Sequence, residues 1–436
     1  MASPLAWLQK QIPVWQSEGF ITAQQGERIL AYYAGRRAEG SRNIALILFG
    51  ILGALLIGGG VLLIIAHNWA ELGRGFRTIL SVTPLILCQA GSAWVLHRRA
   101  DSTAWREGWG LGWTISIAAA IALVAQTYHM PGSFDSFMLT WMSLTLPVLY
   151  VMQSTTTLLV YLAGVTTWGL NQYNETSITI GFWFLLAAAL PVVIAWARRR
   201  PFGGPSTIAR WAYLAAVSLG LMFQHRYGSF FEWMLIHSFY AAVVFLYGCV
   251  REDRAPSAWQ KPATALGGLA MGILVYALTW VGFWEEVGRF RRNWRIDEAF
   301  TAPYLSLLAV MVILYGVLLA RSLFTRRWLV AAWSAAPVLF SIGLLFHDEL
   351  RSLFPVAWLM NAFALAVGLF TLWSGISESR LTKVNTGMML VSALILSRFF
   401  DERFSILTRA VVFIALGVAF LMVNFRMARR KRRAAS

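Results

Sequence analysis

Charge is scarce in this chain. Only 13% of its 436 residues are Asp, Glu, Lys or Arg, where a soluble domain carries about 25%. So few charges cannot cover a water-facing surface, which excludes an ordinary soluble globular protein. Cysteine is scarcer still. Cys88 and Cys249 both lie in apolar stretches, which excludes a disulfide framework or a CxxC metal site. The N-terminus lacks the short basic-then-apolar pattern of a cleaved signal peptide. The first apolar span, from about Ile44, is therefore expected to be retained as an anchor. Signatures of soluble chemistry are missing too. There is no HExxH, no GxSxG elbow, and no glycine loop after a strand. No internal repeat stands out, which weakens a repeat-built transporter reading.

What the chain has is hydrophobicity. Apolar residues make up 58%, with 21 tryptophans. A membrane-crossing helix needs roughly 20 mostly apolar residues, and such stretches recur from Asn43 to the C-terminus. They fall near 44–66, 77–97, 109–127, 136–152, 155–170, 178–197, 207–224, 231–250, 263–284, 302–321, 327–346, 355–374, 382–399 and 406–426. The fold class predicted is all-α: a polytopic transmembrane helix bundle of about 14 spans. The fourth and fifth are short and joined by the uncharged "QSTTT". If they are a re-entrant pair, the number falls to about 12. Three regions are expected: a cytoplasmic amphipathic helical hairpin over 1–43, the bundle over 44–426, and a basic cytoplasmic tail over 427–436. In the hairpin, one helix runs from Pro4 to Gly19 with Pro13 inside it. Thr22-Ala-Gln-Gln25 resembles a capping box opening a second helix, which runs to a stop at Gly35.

Charge orients the bundle. With both termini cytoplasmic, the inner segments hold 26 of the 37 Lys and Arg and eight of the 20 acidic residues. The inner face is then +18 and the outer face −1, from the sequence total of +17. This asymmetry satisfies the positive-inside rule and accounts for the basic charge without nucleic acid. The basic run Arg429 to Arg433 reads as a stop-transfer flank touching anionic lipid. Anionic membrane lipid is accordingly the expected partner on the cytoplasmic side.

Polar residues collect at the ends of spans assigned to the outside. His67, Asn68, Trp69 and Glu71 follow the first span. Gln126, Tyr128 and His129 follow the third, and "NQYNET" (171–176) the fifth. His225, Glu232 and His237 flank another outer loop, and "FHDELR" and "SRFFDERF" lie near the end. Polar groups at membrane depth are costly and mark a functional site when they cluster. Asn68 and Gln126 read as buried. The sharper reading is an outward-facing polar cavity roofed by Trp69, Tyr128 and Trp294; the plainer one is wetted helix ends. His67 and Glu71 could share a helix face with His129, His225, His237 and His347 nearby. No two histidines sit at ligand spacing on one helix, so no metal or other cofactor is expected. In "RFRRNWR", Arg289, Arg291, Arg292 and Arg295 face outward against the charge rule. Arginine forks grip phosphate, which points to an anionic or lipid-linked headgroup. Pairing with Glu285, Glu286, Asp297 and Glu298 is the plainer alternative.

Several stretches resemble a bacterial family of membrane proteins catalogued as domain of unknown function 2157. They are "GFITAQQGERILAYY", "GGGVLLIIAHNWAEL" and "QTYHMPG", with the C-terminal "NTGMMLVSALILSRFFDERFSILTRAVVFIALGVAFLMVN" similar in flavour. Asn68, Trp69, Gln126 and Tyr128 are the most specific marks, and His67 stands where the resemblance leads one to expect a small residue. The resemblance implies a multi-pass protein of the bacterial cytoplasmic (inner) membrane and no established activity. It also implies a short membrane-anchored envelope protein as a partner. Three functional readings follow: transport or lipid handling through an outward polar cavity, a membrane-embedded glycosyltransferase-like enzyme, and a scaffold or sensor using the N-terminal hairpin. The first is favoured, because every outer loop is too short to hold an acceptor.

Overall fold

The computed structural model describes residues 4–30, 32, 69–175, 180–222, 230–292, 298–345, 354–399 and single helical positions between 407 and 418. The first and last expected spans, 44–66 and most of 406–426, and the tail 427–436 lie outside the described residues. Cα packing divides the chain into Met1–Ser81 and Val82–Ser436, and each is taken by itself.

In the first unit, α1 (Pro4–Ser17) contains Pro13. The chain turns at Gly19, whose φ of +77° is cheap only for glycine. Thr22 then caps α2 (23–30). Its amide donates to Gln25 Oε1 and its hydroxyl accepts from the Gln25 amide, the capping box expected from the sequence. Gly26 lets α2 close onto Ile12 and Gln16 of α1, and Ile12 is buried. The unit continues through a short 3-10 turn, Trp69–Glu71.

The described residues of the second unit are helices joined by short turns, and its first helix begins before the boundary at Ser81. In order, α3 is Arg74–Arg98, α4 Thr103–Tyr128, α5 Phe134–Met152, α6 Thr155–Glu175, α7 Ile180–Arg199 and α8 Gly204–Met222. Next come α9 Phe230–Arg251, α10 Pro262–Ala277, α11 Val281–Arg292, α12 Glu298–Phe324, α13 Trp328–Ser334, α14 Ala336–Leu345, α15 Phe354–Ser377 and α16 Leu381–Phe399. Among the described residues each stretch expected to cross between 77 and 399 falls on helix, with breaks at 278–280 and at Ala335. Eight pass a length-and-hydropathy test for a membrane span, and a bent pair makes up to nine. Apolar side chains such as Ile313, Val317 and Met389 stay exposed, as lipid-facing positions do.

Two cores hold the unit together. One, among α5 to α8, centres on Tyr161, Trp168, Phe182 and Leu186. The other, among α9 to α16, centres on Trp284, Phe340, Met271 and Met360. Leu221, Ile236 and Tyr304 form a smaller cluster from α8, α9 and α12. Several hydroxyls inside the helices are satisfied locally. Thr114, Thr166, Ser218 and Thr371 each donate to the carbonyl four residues earlier, which removes the cost of a bare hydroxyl in an apolar setting. Pro191 removes one intrahelical donor from α7, and proline opens the turn before it. Hydroxyls of Tyr161, Tyr213 and Tyr150 donate into that turn, to the carbonyls of Leu185, Leu186 and Ala188.

The fourth and fifth expected spans are α5 and α6, of 19 and 21 residues. At 1.5 Å per residue they run about 28 and about 31 Å; α5 is one of the eight candidate spans and α6 is not. Their tight junction is held by neighbours on α4. Arg106 Nε donates to the Met152 carbonyl at 2.8 Å, covering the end of α5. The Glu107 carboxylate accepts from the Thr155 and Thr156 amides and from the Ser154 and Thr156 hydroxyls, all at 2.8 Å. A carboxylate on exposed helix-start amides is the favourable charge for that end of the dipole. Glu107→Ala is expected to cost about 1–3 kcal/mol by leaving these donors bare, with Glu107→Gln losing less. The check is the thermal midpoint in detergent; an unchanged midpoint for Glu107→Ala rejects the clamp.

Candidate functional site at the broken helix

The ninth expected span, 263–284, is not one helix. α10 ends at Ala277, and the described part of α11, Val281–Gly288, turns 88° from it. Breaking a helix frees carbonyls, and inside a membrane these need partners. The protein supplies them. Trp284 Nε1 donates to the Leu278 carbonyl at 2.9 Å, and Asn361 Nδ2 on α15 donates to the Thr279 carbonyl at 2.9 Å. The Thr279 hydroxyl donates to the Tyr276 carbonyl. Leu278, Thr279 and Trp284 are all buried. The Trp284 ring lies against Phe283 and Phe340, over Gly343, where a Cβ would meet it at 2.2 Å. The break is therefore built into the core.

This places the outer arginines differently from the expectation of a loop. Phe283, Trp284 and Val287 recur at helical spacing and pack on the core, so the stretch folds as α11 rather than remaining a loop. Arg289, Arg291 and Arg292 occupy its final turns. Cations suit that end of the helix dipole. Arg295 and Trp294 lie outside the described residues.

His67 and Asn68 lie outside the described residues. Trp69 is half-buried and Glu71 exposed on the 3-10 turn. Gln126, expected to be buried, is exposed at the end of α4, as are Tyr128 and His129. His129 has φ 54°, a left-handed conformation that ends the helix. Its amide donates to Gln126, and the Met130 amide reaches back to Ala125. His129 is thus a helix stop. Two of the polar segments do meet: Asn171 Nδ2 on α6 donates to Asp135 on α5. His237 is half-buried on α9, while His225 and His347 lie outside the described residues. Among the described residues no three His, Cys, Asp or Glu could hold a metal together.

Sequence reasoning missed the polar knots at the opposite helix ends. Glu252 is 1% exposed and pairs with Arg210 at 2.9 Å. It also accepts from the Ala263 and Thr264 amides and the Thr264 hydroxyl, capping α10. At the α15–α16 turn, Glu378 meets Lys383 at 2.6 Å, and that bond lowers its carboxyl pKa below the ordinary value. A signal was present: each acid stands in a short segment rich in basic residues, Arg251 to Lys261 and Glu378 to Lys383.

Residues 13–159 match the family described as "Predicted membrane protein (DUF2157)". The matched stretch contains Asn68, Trp69, Gln126, Tyr128 and the Glu107 clamp up to Thr156. The C-terminal likeness and the broken helix lie beyond it. No curated protein and no solved structure matches the chain. The chain is a membrane protein with multiple apolar helices.

Proposed function

We propose that the chain handles an anionic lipid or lipid-linked phosphate headgroup at the outer face of a bacterial inner membrane, as a transport or lipid-handling protein. The observation carrying this reading is the 88° break, which sets a short arginine-bearing helix across α10. A helix lying crosswise at the end of an apolar bundle has the amphipathic character of an interfacial element. Arginines on its last turns are suited to two-point contacts with phosphate. The sidedness follows from the charge asymmetry. A lipid-linked glycosyltransferase is less well supported. Among the described residues, α11 and α12 occupy most of the longest outer segment, leaving little chain to build an acceptor site.

Arg291→Ala with Arg292→Ala is the test. Native mass spectrometry of the purified protein is expected to show a co-purifying anionic or polyprenyl-phosphate lipid. Its occupancy should fall about tenfold in the double variant, the scale of losing charge-assisted contacts to one phosphate. Equal occupancy in both proteins rejects the reading.

A further inference from the structure

We propose a second lipid site at the other end of α10: a preformed basic platform that holds an anionic phospholipid headgroup. It lies a helix length from α11, 16 residues or about 24 Å, and does not depend on the arginines there. Three loops are tied into one surface. Arg210 on α8 pairs with Glu252 and also donates to the Pro201 and Gln260 carbonyls. Gln260 Nε2 donates to the Phe202 carbonyl at 2.8 Å. Arg327 donates to the Cys249 carbonyl and meets Asp253. The chain ends at 200–203, 252–261 and 325–328 therefore share one place.

The acids in this knot are already engaged, by Arg210 and by Arg327. The basic excess is on the surface: Arg198, Arg199, Arg200, Arg251, Arg254 and Arg326 are all exposed. Aromatic side chains stand at the same level. Trp259 is 58% and Trp328 60% exposed. Trp259 is held in place by stacking on Trp211, whose indole N–H donates to the Trp259 carbonyl. Exposed arginines next to fixed tryptophans at the ends of apolar helices match a ligand with a phosphate head and an apolar body. An acidic protein would need the charge but not the tryptophans. The buried ties distinguish this platform from the diffuse basic charge of inner loops, because they fix the loops before any ligand arrives.

The experiment titrates the full-length protein in detergent with phosphatidylglycerol and, separately, phosphatidylcholine, and counts bound lipid by native mass spectrometry. Phosphatidylglycerol is expected to be retained over phosphatidylcholine. Arg200→Gln with Arg254→Gln should weaken its retention about tenfold, since each basic residue near a phosphate contributes a few-fold or more. Arg98→Gln with Arg99→Gln, which removes equal charge from another inner loop, should change it less than about twofold. Arg200→Lys with Arg254→Lys keeps the charge and should stay near wild type, which guards against misfolding of the glutamine variant. The proposal is overturned if the Arg98/Arg99 variant loses as much lipid, or if phosphatidylcholine is held equally. It is also overturned if inorganic phosphate displaces the lipid, which would mark a soluble-anion site. Loss in this variant with the Arg291/Arg292 site intact, or the reverse, separates the two proposals.

Discussion

Glu252→Ala is expected to be among the most destabilising single changes outside the apolar core. Glu252 is buried against Arg210 and caps the first turn of α10 through two amides and a hydroxyl. Its removal leaves a largely buried guanidinium without its counter-charge and two helix-start amides without an acceptor. Breaking one side of a buried ion pair costs about 3–5 kcal/mol. The measurement is the fraction of monodisperse protein recovered in detergent and its thermal midpoint. Glu252→Gln keeps an acceptor for the cap and should fall between wild type and alanine. Arg210→Met in the Glu252→Gln background should recover stability, because the unpaired charge is then gone. If Glu252→Ala melts with wild type, the ion pair is not holding α8, α9 and α10 together.

Gly267→Val is expected to separate α9 from α10. A Cβ at Gly267 would lie 2.4 Å from the Phe245 amide nitrogen and 2.6 Å from its Cα. These are backbone atoms and cannot rotate away. Gly248 faces the same contact from α9, where a Cβ would lie 2.3 Å from the Thr264 nitrogen. Overpacking costs about 1–3 kcal/mol in ordinary cores, and two branched methyls against backbone belong at or above the top of that range. The adjacent residue is the control. A Cβ at Gly268 meets only the Phe245 ring, at 3.6 Å, an ordinary contact. Gly268→Ala should therefore be neutral, or stabilising through helix propensity. Equal effects at 267 and 268 would show that the close approach does not set the packing.

Much of the architecture was legible because lipid imposes a simple rule. A backbone in hydrocarbon must satisfy itself, so long apolar runs become helices. Among the described residues the expected spans between 77 and 399 fall on helices, although the ninth is broken after Ala277 and the eleventh at Ala335, and the Thr22–Gln25 cap is where its residue spacing put it. Small-residue approach was also readable in principle. Gly50, Ala54 and Gly58 stand at intervals of four in the first apolar stretch, outside the described residues. The close contacts seen are at Gly248 and Gly267, and at Gly387 against the Leu372 backbone.

The site was far less legible. Glu107 and the amides it caps are 48 and 49 residues apart, so no local pattern joins them. His129 carries a left-handed φ that ends a helix, a role that no local residue pattern announces. The arginines of α11 looked like loop residues because hydropathy does not report a bend. What the sequence by itself determined was an all-helical membrane chain and the ends of its helices, since those depend on local hydropathy and capping. Which carboxylates close those ends, where α10 breaks, and which arginines remain exposed were decided only by tertiary structure. Each depends on atoms that distant helices bring within hydrogen-bonding distance.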